Sequence, residues 1–338
     1  MKNLVKKNKI VFITSSYYPS IGGVEKHVQR VVEILSSRGY SVKVFVRYKE
    51  NYPNYQKTNS VDIYRMPKKD SRPNIILWYL KNKKYLKGAV IHSHDYFPFS
   101  LRSLIKNRWV HTFHGYEGYP LDPLAIESRK RVAKSVDYTF CVGKFIEKWY
   151  GTRCDQIIWG AAEKPNVIKK PIKYDFIFFG RFEEDTGFEK YIEAFKVIKS
   201  KVPSATMVVV GWGSKASWAR QYSQNNRLGI IFKEPVKNVY LLLAQSRVAF
   251  VSGYQAIIES ALMKKPIVAY YDTPIKKDYL GMHPMSRYLN ISNRSSQIAD
   301  KAILLLSSPG NKNTDMYNWA NSQNWKSIVN RYEESYKT

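Results

Sequence analysis

The stretch "KIVFITSSYYPSIGGVEKHVQRVVEILSSRGYSVKVFVRY", residues 9–48, decides the fold. Its first six residues form a short apolar run. From Val24 onward, apolar residues recur at Val28, Val31, Val32 and Leu35, the spacing of one helix face, and Gly39 stands where such a helix stops. "YSVKVFVRY" then alternates apolar and polar residues, as a half-buried strand does. Strand, helix and strand make a βαβ unit, which implies parallel strands joined by a right-handed crossover. Gly22 and Gly23 sit at the strand-to-helix turn. They either punctuate a tight turn or clear space for a ligand against the main chain.

Outward from this unit the alternation continues. "GAVIHSHDY" and "NRWVHTFHGY" read as strands ending in histidines, and "VDYTFCVG" as another, followed by the helical "KFIEKWYG". "WGAAEKPNVIKKPIKYD", from Trp159 to Asp175, has no period and carries two prolines and a lysine cluster, so it reads as a linker. Beyond it come "YDFIFFGR", a helix over "FEKYIEAFKVIKSK", "ATMVVVGWG", "LGIIFKE", a helix over "VYLLLAQS", "VAFVSG", a helix over "AIIESALMKK", and "PIVAYY". Runs such as "FIFF" and "MVVV" suit parallel strands buried on both faces. The chain is therefore expected to be α/β, with two doubly wound Rossmann-like domains. Such sheets bind ligands beyond the carboxyl ends of their strands, and two of them could face one central cleft.

At 338 residues the chain has room for two domains. No apolar run approaches the roughly 20 residues of a spanning helix, and the apolar run after the N-terminal lysines is too short for a secretory signal. The expectation is a soluble, cytoplasmic protein. Cys141 and Cys154 provide neither a disulfide framework nor a zinc motif, and are expected as free thiols in a reducing compartment. The 55 Lys and Arg against 27 Asp and Glu give a formal charge of +28. A field of that sign draws nucleic acid, anionic lipid surfaces and phosphorylated small molecules. "KNKKYLK", with Trp78, Tyr79 and Tyr85 nearby, suits an interfacial face; a solvated helix face accounts for it as well.

The motifs acquire meaning from their order. A Gly-Gly-x-Glu turn follows the first strand, "HTFHG" ends a later one, "GR" ends the first strand of the second half, and a "GWG" turn and "AIIESALMKKPIVA" follow. In this order they resemble the retaining glycosyltransferases of the GT-B architecture, the group that includes sucrose synthases and phosphatidylinositol mannosyltransferases. The resemblance covers nearly the whole chain. It implies an acceptor-side domain over residues 1–163, a donor domain over 164–317, and a closing helix at about 318–338 that returns to the first domain. It further implies a metal-independent transferase with no cofactor, using a nucleotide-diphosphate sugar as donor substrate and a glycan, lipid or protein acceptor. An anionic membrane surface is a further expected partner, reached peripherally, and no specific nucleic acid is expected.

The resemblance also assigns residues. Gly22 and Gly23 would let main-chain N–H groups approach the diphosphate or acceptor at a helix N-terminus. Arg181 would clamp the leaving diphosphate, a role suited to a bidentate cation that stays charged. Thr186 and Gly187 stand where the family has a Lys-Gly pair, leaving Lys190 or Lys215 as substitutes for the missing lysine. Glu259 would accept the ribose hydroxyls, while Val251 stands where a second glutamate is usual. Gly211, Gln255 and Ala256 would line the donor site with main-chain N–H groups, and His114 would serve the sugar or acceptor. Catalysis would rest on His114, Arg181 and Glu259. Taken alone, Arg181 reads equally as a surface ion pair with Glu183 or Asp185, and Glu259 as compensation of a helix dipole.

Two other classes fit parts of the sequence. His92, His94, His111 and His114, with Asp95, could assemble a metal-dependent hydrolase. The charge alone would suit a non-catalytic nucleic-acid-binding protein, although no groove-reading or base-stacking signature accompanies it.

Overall fold

The computed structural model describes residues 9–20, 22–58, 61–69, 71–166, 170–307 and 314–337. The N-terminal lysines and Val167–Lys169 of the expected linker lie outside them. The chain divides into two compact units: Met1–Gly160 with Trp325–Thr338, and Ala161–Asn324.

The first unit holds an eight-stranded sheet among its described residues. Its strands are β1 (Lys9–Thr14), β2 (Ser41–Val46), β3 (Tyr55–Lys57), β4 (Asp62–Arg65), β5 (Val90–His94), β6 (Trp109–Phe113), β7 (Tyr138–Val142) and β8 (Gln156–Ile158), and its helices begin with α1 (Gly23–Ser37), α2 (Arg72–Leu86), α3 (Phe99–Arg102), α4 (Pro123–Ser135) and α5 (Phe145–Tyr150). The strand order is β3-β4-β2-β1-β5-β6-β7-β8, and only the β3 edge runs antiparallel. β1 and β2 pair in parallel from Lys9↔Ser41 to Thr14↔Val46. α1 lays Val28, Val31, Val32 and Leu35 on the sheet, all fully buried, each stabilising the fold by about 1.5–3 kcal/mol. His27 lies on that same buried face.

The second unit is all parallel, in the order β11-β10-β9-β12-β13-β14. Its strands are β9 (Tyr174–Arg181), β10 (Met207–Trp212), β11 (Ile231–Lys233), β12 (Ser246–Phe250), β13 (Ile267–Tyr270) and β14 (Leu289–Ser292), with helices α6 (Phe188–Lys201), α7 (Ala216–Asn225), α8 (Tyr240–Ala244), α9 (Tyr254–Leu262), α10 (Pro274–Gly281), α11 (Ser295–Ser307) and α12 (Thr314–Ser322). In chain order this is 3-2-1-4-5-6, the arrangement of dinucleotide-binding sheets. A dense aromatic core holds it: Phe182 stacks on Phe188 at 4.3 Å, and Tyr191 on Phe250 at 5.2 Å. The last helix, α13 (Trp325–Tyr336), belongs to the first unit and packs on α1. α12 packs on α9 and belongs to the second unit, and the first unit resumes at Trp325.

Two expectations are corrected here. Cys141 and Cys154 are not free thiols but are joined as a disulfide, with Cα atoms 5.9 Å apart. The short crossover through α5 brings the chain back beside β7, and the inference to a reducing compartment falls with the free thiols. On α2, Trp78 and Tyr85 do not form an outward face. The Trp78 indole donates to the Arg65 carbonyl and meets the Phe45 ring edge-on at 4.8 Å, while Tyr85 packs on Tyr64 at 5.0 Å. The exposed apolar residues of α2 are Leu77 and Leu80. No helix of the described residues is long and apolar enough to cross a membrane.

Candidate active site

In the first unit the strand order reverses between β1 and β5, so their carboxyl ends at Thr14 and His94 open a crevice. Gly22 caps α1 in extended backbone, and a Cβ there would meet the Glu25 carboxylate at 2.3 Å. At Gly23 a Cβ would meet nothing within 4 Å. The bare main chain therefore lies at Gly23, whereas Glu25 fills the space beside Gly22.

The histidines sort by strand period. His92 and His94 share one face of β5, and Ser93 faces the other way, where its hydroxyl bonds His111 Nδ1 at 2.7 Å. The expected quartet of His92, His94, His111 and His114 therefore does not assemble, because alternation puts His111 on the opposite side of the sheet. His92 is held by Thr112 Oγ1 at 2.8 Å and the Tyr336 hydroxyl at 2.7 Å. His94 Nδ1 lies 2.8 Å from Nε2 of His114, which stands just past the end of β6.

The third member of this group is His27 from α1, which sequence reasoning missed. Its ring meets His114 edge-on at 4.8 Å, and its Nε2 bonds the Tyr332 hydroxyl of α13 at 2.8 Å. The signal was present in the sequence: His27 falls between Val24 and Val31 at helical spacing, on the apolar stripe. His27, His94 and His114 each offer a ring nitrogen within 4.8 Å of the others. Three neutral imidazoles suit a zinc-type cation, but His94 and His114 each use one nitrogen on the other, and His27 uses one on Tyr332.

Burial holds the imidazoles of His27, His92, His94 and His111 well below their usual pKa. His114, which is partly exposed, is pushed down to about 3 by burial and then by the Arg129 charge. Asp95, exposed just past the end of β5, accepts the His114 main-chain N–H at 2.8 Å. Beside it lies a cavity of about 280 Å³ lined by Asp95, Phe97, Phe99, Phe113, Glu117 and Arg129. Arg129 donates to Glu117 at 2.6 and 3.1 Å, while its buried Nη1 has no partner. Sequence reasoning passed over Arg129 and Glu117, which lie outside any strand-end motif.

In the second unit the order reverses between β9 and β12. Arg181 is the last residue of β9; it is half exposed and pairs with Asp185 at 2.6 Å. Glu183 instead takes the Ser214 N–H at 2.8 Å and its hydroxyl at 2.5 Å. The Thr186 hydroxyl folds back on the Arg181 and Glu183 carbonyls at 2.9 and 2.7 Å. At Gly211 a Cβ would lie 1.8 Å from the Gly180 carbonyl oxygen, so this glycine permits β9 and β10 to approach.

Glu259 stands in the second turn of α9, not at its start, which removes the reading as dipole compensation. It is 8% exposed and accepts from Gln255 Nε2 at 3.2 Å. Gly253 gives α9 no side-chain cap. The Tyr254 N–H goes to the Tyr279 hydroxyl at 2.8 Å. The N–H groups of Gln255 and Ala256 belong to the first turn, which provides no intrahelical acceptor for them. Val251 is fully within the core, so no second carboxylate stands there.

Two doubly wound sheets, each with polar groups gathered at the strand ends of its switch point, define an α/β protein of the GT-B architecture. The sequence matches Glycosyltransferase Family 4 over residues 21–157 and Glycosyl transferases group 1 over residues 161–323. The chain belongs to the group 1 glycosyltransferases. An uncharacterized glycosyltransferase of Methanocaldococcus jannaschii is 26% identical over 203 residues, 56% of this chain and 57% of that protein. The match thus spans little more than half of that relative. A glycosyltransferase from Rickettsia africae aligns with a TM-score of 0.73 at 15% identity, covering 98% of both chains. HepE of Anabaena, crystallised with UDP, aligns with a TM-score of 0.73 at 13% identity, covering 97% of this chain and 99% of that one.

Proposed function

We propose that the protein moves a sugar from a nucleoside-diphosphate sugar to an acceptor hydroxyl, with retention at the anomeric carbon and without a metal. One arrangement carries this reading: Arg181 at the end of β9, in the same switch-point sheet as the uncapped first turn of α9 and the buried Glu259. The diphosphate takes the Arg181 guanidinium in place of Asp185 and lies on the first-turn N–H groups of α9, where a helix N-terminus favours anions. Glu259 accepts the ribose hydroxyls. As the bond to the anomeric carbon breaks, negative charge grows on the leaving diphosphate, and a preorganised cation stabilises that charge. In front-face transfer the departing phosphate takes the acceptor proton, so no carboxylate nucleophile is needed.

In the first unit, the neutral imidazole of His114 hydrogen-bonds a sugar or acceptor hydroxyl, and the cavity beside Asp95 and Arg129 suits a polar acceptor over aromatic walls. The charge of +28 supports an acceptor held at an anionic membrane surface. The UDP bound by the Anabaena protein supports a nucleoside diphosphate as the leaving group. A thermal-shift panel of nucleoside diphosphates and their sugars tests the donor: a ligand of the native state raises the melting temperature. An unmoved melting temperature across the panel would overturn this reading. NMR of the product's anomeric proton then tests retention.

A further inference from the structure

The second cation of the diphosphate clamp has no obvious source near Arg181. Lys190 is held by both oxygens of Glu193 at 2.9 and 3.0 Å, and Lys215 by Glu189 at 3.1 Å. Both expected substitutes are engaged in ion pairs, as Arg181 is with Asp185.

Another lysine meets the need from a different element. The loop after β9 lies against the end of β13: a Cβ at Gly187 would stand 2.4 Å from the Tyr270 ring. From Tyr270 the chain passes through Asp272 into α10, whose Thr273 cap accepts the Lys276 N–H at 3.3 Å. Lys276 is only 7% exposed. Among the described residues no carboxylate stands within ion-pair distance of its ammonium, which lies 4.3 Å over the Tyr279 ring. Asp185, Asp272 and Arg181 all act on it electrostatically.

Three local influences oppose a charge there. Burial removes water, the N-terminal turn of a helix repels cations, and Arg181 repels it further. An aromatic face returns only part of that cost. Burial outweighs the two aspartates and lowers its pKa to about 8. A fold-stabilising lysine would have a paired carboxylate or an exposed head. A lysine with a buried stem and, among the described residues, no paired carboxylate, acted on by an arginine at the carboxyl end of a parallel sheet, is arranged for an incoming anion.

The geometry points to Lys276 as the second cation of the diphosphate site, taking the place of the lysine that Thr186 has lost. This rests on the donor reading above. Arg181 and Lys276 then hold the leaving group from two strand ends, β9 and β13, instead of from one loop.

Calorimetric titration with UDP, GDP, ADP and TDP, and with the matching monophosphates, tests it on wild type, Lys276→Met, Lys276→Arg and Lys277→Met. Methionine keeps the apolar stem against Tyr279 and removes the charge. Lys276→Met should weaken the best diphosphate 10- to 50-fold and its monophosphate no more than about threefold. Lys276→Arg should retain most of the affinity, and the exposed Lys277→Met all of it. Free of ligand, Lys276→Met should melt no lower than wild type, since it removes an uncompensated buried charge. Equal diphosphate binding by wild type and Lys276→Met overturns the proposal alone. A lower melting temperature with unchanged binding assigns Lys276 to the fold and also overturns it. If wild type binds none of the diphosphates, the donor reading itself fails and the proposal fails with it.

Discussion

Nδ1 of His94 lies 2.8 Å from Nε2 of His114. Both rings are neutral, so one nitrogen donates and the other accepts, and the choice made by His94 fixes which tautomer His114 presents. In the proposed reaction His94 is therefore a positioning residue acting through His114. His94→Leu should lower the turnover of sugar transfer about 10- to 100-fold. Nucleoside-diphosphate affinity, which the proposed function assigns to the second unit, should remain as in wild type. An equal loss in both quantities would show that His94 supports the fold and not the orientation of His114.

All six histidines of the chain have lowered pKa values. For such a group the unfolded chain binds the proton first. The stability it contributes is complete above about pH 6.5 and is lost as the pH falls toward the folded value. At pH 5.5 each costs up to about 1.4 kcal/mol, and the five fully buried ones together approach about 7 kcal/mol, comparable to the whole stability of a domain. His114 is partly exposed and adds less. Asp95 has the opposite sign, its contribution growing as the pH falls, but one exposed, solvent-screened group does not offset five. Urea unfolding at pH 7.5 and 5.5 should therefore show a large drop in midpoint, and a flat profile would contradict the neutral, buried imidazoles.

Arg181→Ala should leave the melting temperature within about 1–2 °C of wild type, because an exposed ion pair such as Arg181–Asp185 contributes little. Sugar transfer should fall at least about 100-fold, the usual effect of removing one donor to a developing anion. Glu259→Ala should also abolish efficient transfer, with a distinct signature in binding. Wild type should prefer a nucleoside diphosphate over its 2′,3′-dideoxy analogue, and the variant should lose that preference. Retained discrimination would remove Glu259 from the ribose.

The sequence made the sheets legible because parallel strands buried on both faces leave long apolar runs, as in "FIFF" and "MVVV", and because Gly22 opens the first helix and Arg181 ends a strand. The donor side was read from strand ends for the same reason. What escaped was whatever depends on which way a side chain faces or on contacts far apart in sequence. His111 was grouped with His94 although a strand's period of two separates them. Gly211 was placed in the donor site from its motif, whereas the close approach of β9 that requires a glycine there exists only in the folded sheet. Lys276 lies in α10, a helix with no clear pattern, and its nearness to Arg181 exists only once β13 and β9 share a sheet. His27 was hidden inside an apolar stripe, where a histidine looks like an interruption.

The last prediction concerns the partner of that histidine. The Tyr332 hydroxyl bonds His27 Nε2 at 2.8 Å and receives the Thr112 hydroxyl at 3.2 Å, joining α13 to both α1 and β6. Its ring is fully buried against His92 and Phe140. Tyr332→Phe keeps the ring and removes only the oxygen, leaving two buried polar groups without this partner, at a cost of about 1–3 kcal/mol. The denaturant midpoint should fall accordingly with an unchanged slope, the mark of lost stability without altered compactness. His27→Leu in the same background should restore part of the loss, because it removes one of the two stranded groups. If the double variant were less stable than Tyr332→Phe by the full cost of His27→Leu alone, the two residues would not be coupled and the bond would not hold α13 to α1.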